Sequence, residues 1–157
     1  MTEQIEVSRV RAILWEWGAV EKRVDELTEQ MRSATRRCRE VDEEIGGSAP
    51  PDGQPRSTTP GDPVFRQFEA REKLREIYTQ EIEECSRQIA EVKRFQASIN
   101  AIVATLRPVE QDVLRERYVK GDVTWLYIGF KMHMDERTAR RIEHDACEKL
   151  ARKMAFD

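Results

Sequence analysis

The sequence predicts an all-α protein, with a long antiparallel two-helix coiled-coil hairpin over residues 1–106 and a three-helix head over residues 107–157. Three observations predict it. Apolar residues recur every three or four positions through most of the first 106 residues, the spacing that lines one face of a helix. One short stretch, GGSAPPDGQPRSTTPGDP, holds five of the six prolines and four of the seven glycines. The whole chain is 39% hydrophobic and 36% charged, which suits long solvent-washed helices better than a packed α/β core.

The first helix is expected from about residue 3 to 45. Val10, Ile13, Trp17, Val20, Val24, Leu27, Met31, Ala34, Cys38, Val41 and Ile45 alternate steps of three and four, the pattern that keeps an apolar seam on a partner helix. Gly46 and Gly47 can supply the left-handed cap that ends it, and the Gly/Pro-rich stretch 46–62 reads as a mobile linker. Asp62 and Pro63 open the second helix as N-cap and first helical residue, and it is expected to run from 63 to 106. Helices of this length are each ~65 Å long at ~1.5 Å per residue. Folded back on the linker, residue i should lie near residue 108 − i, with Trp17 beside Val92 and Leu27 beside Ile82. Leu14, Trp15, Phe95 and Ile102 fall off the seam and are free to pack on the head or on a second copy.

In the head, Pro108 opens a helix whose Val113, Leu114 and Tyr118 have core spacing, and Gly121 and Asp122 break it. Thr124 can N-cap a short helix, TWLYIGFKM, with Trp125 and Ile128 turned inward. After a turn at Met132 to Met134, Asp135 caps a last helix with Ala139, Ile142, Ala146 and Leu150 on its buried stripe.

The order L-x-P-x-E-x-x-V-L-x-x-R-Y, T-W-x-x-I-G and R-x-I-E-x-x-A-x-x-K-L resembles the helix-turn-helix of sigma-factor region 4. With the heptad helix and the loop ending in GDPV, the chain is similar to small phage and prophage proteins related to RinA- and ArpU-type late transcriptional regulators. The resemblance implies a cytoplasmic, DNA-binding regulator in a bacterial host. The start of the last helix would enter the major groove. Glu136, Arg137 and Arg141 would then be base-facing, with arginine forks for guanine and a carboxylate for cytosine. Arg140, Thr124, Trp125 and Lys131 would hold the DNA backbone. The partners implied are double-stranded DNA, RNA polymerase and a second copy of the chain, reached through the stalk.

Charge moderates that expectation. From Arg107 onward there are 11 Lys and Arg against 10 Asp and Glu, which is not the basic footprint of a strong lone DNA binder. Two other readings therefore stand beside the regulator: a small-terminase-like DNA-packaging subunit, and a coiled-coil interaction protein without DNA binding. No phosphate loop, activated nucleophile or clustered carboxylates are present, so no enzyme is expected. Cys38, Cys85 and Cys147, with the isolated His133 and His144, point to no metal, cofactor or disulfide. No apolar run reaches membrane-span length, and the first residues lack a secretory h-region.

Overall fold

The computed structural model describes residues 2–47 and 63–154, with the side chains of 2–5 and 44–47 left out. All secondary structure among the described residues is helical: α1 (Thr2–Gly18), α2 (Val20–Gly47), α3 (Pro63–Val103), α4 (Pro108–Leu114), a π-helix (Arg115–Val119), α5 (Trp125–Lys131) and α6 (Glu136–Met154). Residues 48–62 of the expected linker, including Asp62, lie outside the described residues. None of the described helices is long and apolar enough to cross a membrane.

The chain divides into two compact units, Met1–Arg23 with Glu91–Asp157, and Val24–Ala90. The division expected from sequence, 1–106 and 107–157, cuts the chain elsewhere. In the first unit α1 shares one core with the C-terminal helices: Val7, Val10, Leu14 and Trp17 meet Ile99, Val103, Leu106, Leu114, Tyr118, Ala146, Cys147 and Leu150. Leu14, off the coiled-coil seam, is completely buried there, and burying a leucine contributes roughly 1.5–3 kcal/mol. Phe95 and Ile102 pack against the same core.

The expected single first helix is interrupted at Ala19, between α1 and α2. Its hydrogen bonding carries on across the interruption, since the Ala19 N–H donates to the Trp15 carbonyl and the Arg23 N–H to that of Ala19, at 3.1 and 3.0 Å. Gly18 explains the local geometry. Its α-carbon lies so close to the π-helix that a Cβ would stand 1.9 Å from the Tyr118 carbonyl oxygen. In the π-helix the Lys120 N–H reaches back five residues to the Arg115 carbonyl, 3.1 Å, and such insertions are uncommon and short.

In the same unit the Trp17 indole N–H donates to Asn100 Oδ1, 2.8 Å, where Val92 was expected. In the second unit Leu27, Ala34 and Val41 of α2 and Cys85 of α3 are buried. There the Cys85 thiol lies 3.7 Å from Gln30 Oε1 and Arg75 pairs with Asp42 at 3.4 Å. As the number rises on α2 it falls on α3, and residue i faces about 116 − i. The slip from 108 − i is close to one heptad. A shift of that size returns equivalent seam positions to contact, so periodicity alone does not choose between the two registers.

Candidate nucleic-acid interface

The N-cap of α5, α5 itself and the start of α6 carry every residue assigned to DNA. The Thr124 hydroxyl accepts the Tyr127 N–H at 3.2 Å and caps α5. Gly121 and Asp122 both have positive φ, 61° and 50°, and form the break before it. Ile128 and Gly129 are the buried residues of α5. A Cβ on Gly129 would come within 2.8 Å of the Met134 carbonyl oxygen, so the turn closes directly onto the helix. The Met134 N–H donates to the Gly129 carbonyl at 2.9 Å, and His133 takes φ 56°, a conformation unusual outside glycine.

Asp135 then caps α6 by accepting the Thr138 N–H at 2.7 Å. The hydrogen bonds from Thr138, with Arg137 and Arg141 nearby, hold its carboxyl below the ordinary range. Arg137, Arg140 and Arg141 are all exposed. Arg140 donates to Glu136 at 2.6 Å, whereas Arg137 and Arg141 make no hydrogen bond or ion pair among the described residues. Asp135, Glu136, Arg137 and Arg140 line one surface depression.

The backbone-contact candidates are more dispersed. Lys131 pairs with Glu116 at 3.0 Å, and Lys120 reaches the same carboxylate oxygen at 2.5 Å. Trp125 is half-buried, with the Arg117 guanidinium 4.8 Å from its ring centroid. The same guanidinium lies 5.3 Å from the Trp15 ring centroid, so one arginine in contact with two indoles joins α1 to the start of α5. Arg117 also donates to the Val123 carbonyl at 2.9 Å.

Three carboxylates to which the sequence reading gave no role are buried: Glu110, Glu116 and Glu143. Glu143 of α6, only 2% exposed, takes both arms of Arg11 from α1 at 3.0 Å each. It also accepts from the Tyr118 hydroxyl at 2.6 Å and the Cys147 thiol at 3.2 Å. Burial alone would raise its carboxyl, but the donors from Arg11, Tyr118 and Cys147 hold it below the ordinary value. Burial and the neighbouring carboxylate push both the Tyr118 phenol and the Cys147 thiol upward. Glu110 is matched by Lys149 of α6 and by the Arg107 guanidinium and backbone N–H. α6 is thereby tied to α1, α4 and the π-helix by ion pairs and hydrogen bonds as well as by its core.

The signal for Glu143 was in the sequence. Positions 139, 143, 146 and 150 are spaced four, three and four, and all four are buried, while Ile142 is only half-buried. The carboxylate was passed over because glutamate is almost never buried unless paired, and its partner Arg11 lies 132 residues away.

Residues 69–152, more than half of the chain, match the family described as Protein of unknown function (DUF722). The chain belongs to the DUF722 family. The DUF722 segment includes all of α4, the π-helix and α5, and ends within α6, so every residue of the candidate interface falls inside it. Arg11, Trp15 and Gly18, which brace that interface, lie before it. No curated protein and no solved structure matches the chain significantly.

Proposed function

We propose that this DUF722 protein is a phage-type transcriptional regulator that binds duplex DNA with α5, the turn and α6 as a sigma region-4-like helix-turn-helix. Residues 24–90 serve as a coiled-coil hairpin that brings a second copy or RNA polymerase to the head. The observation that carries the reading is the pair Arg137 and Arg141, exposed and without an ion pair at the start of α6. An arginine side chain that makes no ion pair keeps its fork for guanine O6 and N7. Around it the helix start is held by the Asp135 cap and the Gly129 turn, which supports a rigid approach to the groove. Arg140, whose ion pair with Glu136 is exposed and so weak, exchanges that partner for a phosphate.

A second reading has support in Lys131 and Arg140, since carboxylates already occupy these two cations meant for DNA. On that reading the head is a protein-interaction module. Fluorescence anisotropy with labelled duplex DNA at low salt separates the two. The regulator binds, and its Arg137→Ala and Arg141→Ala variants bind less; an interaction module does not bind duplex DNA at all.

A further inference from the structure

Glu116 of the π-helix gathers two lysines from different parts of the head. Lys120, four residues further along the chain, reaches its Oε1 at 2.5 Å, and Lys131, the last residue of α5, reaches the same atom at 3.0 Å. Glu116 is only 7% exposed, and its Oε2 is buried without a hydrogen-bond partner. Both ammonium groups therefore converge on one oxygen, and their nitrogens are no farther apart than the two bonds laid end to end. Like charges stay that close only where a shared counter-charge holds them.

The two lysines remain exposed. Each ammonium group carries three N–H donors and gives one to Glu116, so both keep donors for another acceptor. Two neighbouring carboxylates leave those donors free. Asp135, which lines a depression with Lys131, accepts from Thr138 with Arg137 and Arg141 beside it. Asp122, exposed in the break after Lys120, makes no ion pair with either lysine among the described residues. What the pair offers is placed donors rather than a basic field.

Position in the fold selects the acceptor. Lys131 ends α5, where the turn to α6 begins, and the first helix of a helix-turn-helix crosses the duplex backbone. A backbone phosphate presents two unesterified oxygens, one for each ammonium group. We infer that Lys120 and Lys131 together grip one phosphate of the duplex and that Glu116 positions them for it, an assignment that rests on the DNA reading of the head. Fixing two long side chains before binding removes part of the entropy cost of ordering them.

Anisotropy titrations of labelled duplexes at several salt concentrations test the pair. Lys120→Gln should weaken every duplex alike, about threefold. Together with Lys131→Gln it should lower the salt slope by about one, the value for a single phosphate. Glu116→Gln removes a negative charge, which would tighten binding if the lysines acted as loose charges; as the positioning residue, its loss should weaken binding about threefold, with a melting curve showing the variant folded. Unchanged affinity in Lys120→Gln, in a protein whose Arg137→Ala variant binds less, would overturn the inference and leave the DNA reading standing. So would tighter binding by Glu116→Gln, or a slope that falls by about two in the double lysine variant, the mark of separate phosphates. Absence of duplex binding by the wild type ends both readings, and binding of labelled polyglutamate that Lys120→Gln weakens would then assign the pair to an acidic protein.

Discussion

Gly18 of α1 lies against the main chain of Tyr118, close enough that a Cβ would stand 1.9 Å from the Tyr118 carbonyl oxygen and 2.5 Å from its carbon. Both partners in this contact are backbone, so a larger residue has no side chain to push aside. Gly18→Ala should therefore destabilise the protein by about 2–3 kcal/mol, near the upper end for overpacking a well-packed site. Ala19→Ser, one residue on and exposed, should stay within about 0.5 kcal/mol of the wild type. Denaturant titration of the two variants measures the difference.

The buried pair between Arg11 and Glu143 makes a second prediction. Arg11→Ala leaves a carboxylate that is 2% exposed with only Tyr118 and Cys147 as donors. The cost should be about 3 kcal/mol, the low end for breaking a buried pair from one side, because the arginine itself is half-exposed. The double variant Arg11→Met, Glu143→Leu should recover much of the loss. If urea midpoints show the double variant to be the worse of the two, the network holds the head in a way simple charge burial does not describe.

Acid should find the same carboxylates. Glu110, Glu116 and Glu143 all have folded-state values held below the ordinary one, despite burial that alone would raise them, by their lysine, arginine and tyrosine partners. A lowered carboxyl contributes stability that is complete above its unfolded value and disappears as pH falls through the folded one. The melting temperature should thus be level from neutral pH to roughly pH 5 and drop below about pH 4.3, the ordinary glutamate value. Glu143→Gln should start lower and show a shallower acid limb in melts recorded across that range.

The helices and their punctuation were legible in the sequence for local reasons. The caps at Thr124 and Asp135, the break at Gly121 and Asp122 and the start of α3 at Pro63 each depend on a few adjacent residues. What escaped depends on residues far apart in the chain. Leu14 was free by its spacing to pack on the head or on a second copy, and only the coordinates choose between them by placing it in one core with Ala146, Cys147 and Leu150 of α6. The register of α2 on α3 escaped because a one-heptad slip leaves the pattern unchanged. In the candidate interface the exposed arginines were legible from their position in the motif. Their neighbours' engagement, Lys131 with Glu116 and Arg140 with Glu136, required coordinates.

Those engagements set the prediction for charge at the interface. Arg140→Ala should lower affinity for all duplexes alike and reduce the salt slope by about one, whereas Arg137→Ala and Arg141→Ala should each cost about 1–3 kcal/mol at one base position. Glu136→Gln, which releases Arg140 and removes a negative charge from the groove side, should strengthen nonspecific binding while relaxing selection for cytosine. Anisotropy titrations at several salt concentrations yield all of these values.

The most direct test of DNA reading is selection by the full chain from a pool of randomised duplexes at about 50 mM salt, where phosphate contacts are strong. The account predicts an enriched motif containing guanine, bound in a manner that Arg137→Ala and Arg141→Ala abolish at separate positions of the motif. Absence of enrichment together with absence of binding at that salt, in a protein whose melting curve shows it folded, would contradict it.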